Sequence, residues 1–289
     1  MELIRRVQAL REHLARARDR GDRIALVPTM GNLHAGHLAL VAAARAESDL
    51  VVATVFVNPL QFGPGEDYDS YPRTLEADRD ALAAAGARLL FAPPVEEMYP
   101  GGAALATRVA VSGLSEELCG ASRPGHFDGV TTVVAKLFNL VQPDLAVFGR
   151  KDLQQLTLVR RMARDLSFPV RVLGIDTVRA TDGLALSSRN GYLDETERGR
   201  APELQRRLRD VAAALDAGER DFDALEAGAR EALAAAGLEP DYVAVRRARD
   251  LAPPGAGDDA FFVLGAARLG RTRLIDNAAT ENAAGHDPL

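Results

Sequence analysis

The chain has 289 residues, enough for one large domain or two moderate ones. Its 47% hydrophobic and 26% charged residues exclude a disordered polymer. A formal net charge of −6 excludes bulk attraction to nucleic acid or an anionic membrane, and no apolar run is long enough to span a bilayer. Leu3, Val7, Leu10, Leu14 and Ala17 recur at helical spacing and predict an amphipathic helix over 3–20. That opening stretch is charged throughout and does not read as a secretory signal. "RIALVPT" reads as a strand, "HLALVAAARAE" as a helix, and "DLVVATVFVN" as a buried strand. "TLEADRDALAAAG" is a helix stopped by Gly86, followed by the short strand "ARLLFAP". Val130, Val133, Val134, Leu137, Phe138 and Val141 form one helical stripe. "PDLAVFG" is then a strand, "DLQQLTLVRRMARDL" a helix and "PVRVLGIDTV" a strand.

Strands and helices alternate, and the strands are continuously apolar. That pattern predicts an α/β fold with a doubly wound, Rossmann-like parallel sheet buried on both faces. The alternation breaks near residue 180. Two Ala/Leu-rich helices, 202–217 and 223–236, precede the strand-like "DYVAVRRA", "AFFVLGAARLG" and "TRLIDN", which read as a smaller α+β domain. The boundaries expected are 1–178, 179–276 and a disordered tail over 277–289. Cys119 is the only cysteine, which excludes an internal disulfide and fits a reducing, cytoplasmic setting.

Doubly wound sheets bind ligands at the carboxyl ends of their strands, so polar clusters just after predicted strands are the candidate site. The first is "VPTMGNLHAGHLAL". His34 and His37 are three apart at a helix start, so both rings can face one ligand beside N–H groups that attract anions. Gly36 leaves room for a ring or a phosphate to approach. Two histidines that merely cap a helix are the plain alternative. A metal would need a third ligand, and the stretch holds no Cys or carboxylate. The second cluster is the long loop "NPLQFGPGEDYDSYPRTLEADRD", in which Gln61 could bind a small polar ligand and Asp67, Asp69 and Asp78 stand out little. The third is "GRKDLQQL". There Lys151 sits at a helix start, where a cation is disfavoured unless an anion binds. Asp152 and Gln155 fit a capping box. The fourth is "TVRATDGLALSSRN", whose Ser187, Ser188 and Arg189 suit phosphate oxygens. Arg123 and His126 in "RPGHFDG" could add positive charge, and a structural loop is an equal reading of that stretch. No P-loop and no G-x-G-x-x-G occurs.

"PTMGNLHAGHLAL", "FVNPLQFGPGEDYDSYPRTLEAD", "RPGHFDGVTTVVAKLFNLVQPDLAVFGRKDLQQL" and "DGLALSSRN" together resemble the pantoate–β-alanine ligase family, over roughly residues 1–276. The first resembles that family's HxGH nucleotide-binding signature, which is shared by a broad nucleotidyltransferase superfamily. Asn32, Ala35, Arg150 and Leu186 depart from the residues more usual there, and Arg150 alters the charge beside Lys151.

The resemblance implies ATP-dependent condensation of pantoate with β-alanine through pantoyl adenylate, with Mg²⁺ carried mainly on the ATP phosphates and no confident metal ligand from the protein. It implies His34, His37 and Lys151 as catalytic groups. Met30, Gly149, Asp152, Val178, Leu186, Ser187, Ser188 and Arg189 join these three in holding ATP, and Gln61 and Gln155 hold pantoate and β-alanine. It also implies a lid role for the C-terminal domain and a cytoplasmic homodimer. Two other readings remain: another HxGH nucleotidylyltransferase, or a non-catalytic nucleotide-binding protein on the same fold.

Overall fold

A computed structural model describes every residue except Asp287 and Leu289, with Leu105 described by its backbone alone. The elements run β1 (Glu2–Ile4), α1 (Val7–Asp19), β2 (Ile24–Thr29), α2 (Ala35–Ala46), β3 (Leu50–Val55), α3 (Leu75–Ala85) and β4 (Leu89–Phe91). Next come α4 (Val95–Met98), α5 (Cys119–Ser122), α6 (His126–Val141), β5 (Leu145–Gly149), α7 (Leu153–Asp165) and β6 (Arg171–Ile175). The remainder comprises α8 (Glu195–Arg200), α9 (Glu203–Asp216), α10 (Phe222–Ala235), β7 (Glu239–Arg247), β8 (Phe261–Leu269) and β9 (Thr272–Ala279).

The first six strands form one parallel sheet in the order β1-β4-β3-β2-β5-β6. The apolar runs of the inner strands β4, β3, β2 and β5 have a direct cause, because both of their faces are covered. Leu10 and Leu14 of α1, Phe138 of α6 and Leu156 of α7 pack in one core with Leu26 and Val52. Leu40 and Val41 of α2 and Leu82 of α3 pack in another with Val27 and Val51. Gly86 ends α3 in the left-handed conformation, φ 96°, as its place after the helix predicts. The chain leaves β2 toward β3 on one side and later returns to β5 on the other. The strand order therefore reverses between β2 and β5, and their carboxyl ends open a crevice.

The second sheet, β7-β8-β9, is antiparallel and carries α9 and α10 on one face. Its core includes Leu204, Leu208, Leu233, Phe261 and Val263, and Leu184 from the connecting segment joins it.

Two expectations are corrected. Residues 2–4 are not helix. They form β1, which pairs in parallel with β4 through Glu2–Leu89 and Ile4–Phe91. Leu3 and Val7 share a helical spacing by coincidence, and an available sheet edge wins the first residues. The tail is not disordered over 277–286. β9 continues to Ala279, Thr280 Oγ1 accepts from Phe261 N at 2.9 Å, and Ala283 is fully buried. Small residues conceal this, because backbone pairing needs no large apolar side chain. Of that tail, only 287 and 289 lie outside the described residues.

Gly129 lets α6 approach the loop after β3 at backbone distance. A β-carbon there would fall 2.2 Å from Leu60 O and 2.6 Å from Gln61 N. Gly129 O also accepts from Asn58 Nδ2 at 3.0 Å. Helix α6 thus rests directly on the turn that carries Gln61. Helix propensity alone would make Gly129→Ala stabilising by about 1 kcal/mol. The backbone contact reverses the sign, and we expect a loss of about 1–3 kcal/mol in urea unfolding.

Candidate active site

The turn after β2 is built by a buried carboxylate. Gly31 and Asn32 both have positive φ, 86° and 51°. Asp78 of α3, only 2% exposed, accepts from Asn32 N at 3.0 Å, Leu33 N at 2.9 Å and Thr74 Oγ1 at 3.1 Å. A β-carbon on Gly31 would sit 2.9 Å from Asp78 Oδ2, so glycine is required there.

This turn delivers His34 as the N-cap of α2 and His37 in its first turn. His34 Nδ1 accepts from Gly36 N at 3.1 Å, and His37 Nδ1 accepts from His34 N at 3.3 Å. An accepting Nδ1 assigns the proton of each neutral ring to Nε2. The rings lie 4.1 Å apart, centroid to centroid. Burial, with Lys151 next in importance, lowers the His34 pKa to about 4. Burial, with His34 next, lowers that of His37 to about 3. Both imidazoles are therefore neutral at physiological pH, with Nε2 carrying the proton. The room left by Gly36 has a different use from the one expected. A β-carbon there would fall 2.8 Å from His34 Cε1, so the space seats the His34 ring itself.

Lys151 follows β5 in the tight turn Arg150–Asp152. The predicted capping box does not form: Asp152 is the N-cap of α7 but makes no side-chain cap bond. Its carboxylate faces the same cavity as Lys151 instead, 4.0 Å from Nζ. From the second domain, Asn277 Nδ2 donates to Arg150 O at 2.9 Å and Lys151 O at 3.1 Å. Gly149, the last residue of β5, precedes the turn. Gln155 is half-buried in the first turn of α7. Its buried neighbour Gln154 instead braces the loop 114–119, donating to Leu114 O and Glu117 O.

The fourth cluster docks on the first. Ser188 Oγ donates to Asn32 O at 2.9 Å, and Asn32 Nδ2 donates to Ser188 O at 3.3 Å. Ser187 Oγ accepts from Arg189 N. Leu186 N donates to Val178 O at 3.0 Å, holding both residues on one short ladder. Arg189 forms a two-pronged pair with Asp67 and lies 5.6 Å from the centre of the Tyr71 ring. Gln61 Nε2 donates to Met30 Sδ, and Gln61 Oε1 accepts from Asn58 Nδ2 at 3.1 Å.

Arg123 and His126 do not add free positive charge. Arg123 is paired in two-pronged fashion with Glu66. Burial, then Arg123, lowers the His126 pKa to about 4. His126 Nδ1 lies 2.7 Å from Gln61 O, which can only accept, so this ring braces the Gln61 turn.

A cavity of about 570 Å³ opens between the two domains. Lys151, Asp152, Ser187 and Arg189 line it, with Asp67 and Asp276. His34 and His37 do not wall that volume. They stand beside it, close enough for Lys151 and Asp152 to act on their charge. Among the described residues no group of three His, Cys, Asp or Glu could hold a metal ion. No helix among them is long and apolar enough to cross a membrane. Asp78, Asp67 and Asn277 escape a reading of the sequence as site residues. Each acts through a partner at least 45 positions away in sequence, and local pattern carries no sign of that.

The sequence and the fold both have close counterparts among known proteins. Residues 2–279 match the family model described as pantoate–β-alanine ligase. The pantothenate synthetase of Azotobacter vinelandii is 58% identical over 97% of this chain and 99% of its own. That of Pseudomonas putida is 60% identical over 96% of each. The crystal structure of Thermus thermophilus pantothenate synthetase has a TM-score of 0.88 at 52% identity, covering 96% of this chain and 99% of its own. The Francisella tularensis ligase, crystallised with beta-gamma ATP and beta-alanine, has a TM-score of 0.81 at 30% identity, covering 96% and 97%. The chain belongs to the pantoate–β-alanine ligase family.

Proposed function

We propose that this ligase condenses pantoate with β-alanine at the expense of ATP, through pantoyl adenylate. The observation that carries the reading is that Lys151, Ser187 and Arg189 line one interdomain crevice, with two neutral histidines beside it and within reach of the Lys151 charge. In the first step a pantoate carboxylate oxygen bonds to the α-phosphorus of ATP. The bond from that phosphorus to the β-phosphate bridging oxygen breaks, and pyrophosphate leaves with the electron pair. Negative charge grows on the phosphoryl oxygens, so preorganised donors supply the main acceleration. Lys151 contributes a full charge, and His34 and His37 contribute neutral hydrogen bonds. Ser187, Ser188 and Arg189 hold the triphosphate, while Met30, Gly149, Asp152, Val178 and Leu186 shape the nucleotide side. In the second step the β-alanine amine attacks the acyl carbon, AMP leaves with the C–O electron pair, and the amine loses a proton.

Gln61 and Gln155 hold the polar groups of pantoate and β-alanine. Mg²⁺ arrives as part of the nucleotide substrate. Glu66 and Asp276, which border the cavity, already face arginines, and this supports coordination through the phosphates. Residues 1–178 bind the substrates and the C-terminal domain covers the crevice, excluding water from an adenylate that hydrolyses readily. Family membership supports a cytoplasmic homodimer as the working form.

Incubation with ATP, Mg²⁺ and pantoate, followed by β-alanine, should give AMP and pantothenate in equal amounts. A stable nucleotidylated product indifferent to β-alanine would establish a nucleotidylyltransferase instead. Binding of nucleotide with no turnover would establish a non-catalytic protein.

Lys151→Ala should slow pantoate-dependent ATP–pyrophosphate exchange by about 10²–10³-fold, the loss typical of a group serving developing charge. Nucleotide affinity should fall far less. Near-normal exchange would remove Lys151 from the chemistry.

The neutral histidines also predict a pH dependence of folding. The unfolded chain titrates near 6.5, but folded His34 and His37 resist protonation down to about 4 and 3. Between those limits the unfolded chain binds more protons, so stability falls as pH falls through that window. Asparagine at both positions keeps an acceptor near Nδ1 and removes the titration. Urea unfolding near neutrality and at about pH 5 should show a smaller acid loss for that double variant than for the native chain. Equal losses would refute the neutral assignment.

A further inference from the structure

Arg189 is expected to grip a phosphate, yet its fork is already filled. Nε and Nη2 donate to Oδ2 and Oδ1 of Asp67 at 2.9 and 2.8 Å. A planar guanidinium presents the same two-pronged edge to a carboxylate and to a phosphate, so that edge serves one of them at a time. The pair spans the molecule: Asp67 lies on the loop after β3 and Arg189 on the turn after β6, 122 positions apart. Their side chains are 23% and 29% exposed, and both border the cavity that holds Lys151. Burial alone would push the Asp67 carboxyl up, but the Arg189 bonds outweigh it and hold the group below the usual carboxylate range. Asp67 is therefore an anion seated where a phosphate is expected. One residue earlier, Glu66 fills the Arg123 fork in the same way. That second pair keeps the loop anchored whether or not Asp67 lets go.

We propose that Asp67 is the resident counter-ion of Arg189 and that a phosphate of the nucleotide displaces it. Nucleotide arrival is then an ion-pair exchange, and Asp67 sets how tightly the nucleotide is held. This rests on the proposed use of the crevice as a nucleotide site. Two effects have the same sign. Before binding, Asp67 cancels the attraction of Arg189 for an anion. After binding, its carboxylate repels the phosphates beside it. Both make Asp67 a brake on affinity, and the same brake speeds release of pyrophosphate.

The test is a calorimetric titration with ATP and, separately, with inorganic pyrophosphate. The proteins are the native chain, Asp67→Asn, Asp69→Asn, Arg189→Ala and the Asp67→Asn/Arg189→Ala double variant. Asp69 lies on the same loop and is exposed, so Asp69→Asn makes the same charge change without touching Arg189. Asp67→Asn should bind both ligands about two- to fivefold more tightly, the range expected for releasing a partly exposed ion pair. Asp69→Asn should leave affinity unchanged, and the gain from Asp67→Asn should shrink once Arg189 is alanine, because only the repulsion of the phosphates is then relieved. Asp67→Ser removes the same charge and carries the same expectation, should the asparagine variant fail to fold. Unchanged or weaker binding by Asp67→Asn overturns the exchange, weaker binding marking Asp67 as a ligand of the nucleotide or its metal. An equal gain from Asp69→Asn, or a gain undiminished when Arg189 is alanine, overturns it too. A native chain that binds no ATP overturns the nucleotide reading itself, and the exchange with it.

Discussion

Two backbone N–H groups at the start of α2 govern the chemistry of this site. They occupy the Nδ1 lone pairs of His34 and His37, and a neutral imidazole so engaged carries its proton on Nε2. Capping and ligand binding are therefore not rival explanations for the two histidines. The bonds that end the helix also orient both rings and fix their tautomers. Burial then keeps the rings neutral, so the pair offers donors rather than charge. Asp78 lies behind this arrangement, holding the left-handed turn from which the rings project.

The parallel sheet brings the other groups to the same place. Neighbouring β2 and β5 release the histidines and Lys151 at one end of the sheet, at the point where strand order reverses. The second domain also holds the turns of the first. Asn277 of β9 grips the backbone of the Lys151 turn, and Ser188 locks onto the carbonyl of Asn32. Movement of one domain against the other would therefore displace the turns that carry Lys151 and the histidines.

Three of the carboxylates bordering the crevice are held by arginines. Arg123 faces Glu66, Arg189 faces Asp67 and Arg179 faces Asp276. A chain with a net charge of −6 can thus present an anion site without a broad positive surface. The partial burial of these pairs keeps them less screened by salt than exposed ones.

Much of this was legible in the sequence because the relevant physics is local. A strand buried on both faces must be apolar throughout, and β2, β3 and β5 read that way. A helix buried on one face must repeat near 3.6 residues, as α6 does. The HxGH spacing and the Ser187–Arg189 tripeptide are likewise short-range patterns. Residues 2–4 and 277–283 misled because backbone pairing leaves little trace in side-chain composition. For Arg123 and His126 the sequence left a charged and a structural reading open, because a lone charge in a sequence does not reveal its partner, and the structural one holds. Only the tertiary structure decided that Asp78 holds the histidine turn, that Asp67 fills Arg189 and that Asn277 steadies Lys151. Each of those bonds joins residues from different elements, and their value depends on burial that no local window contains.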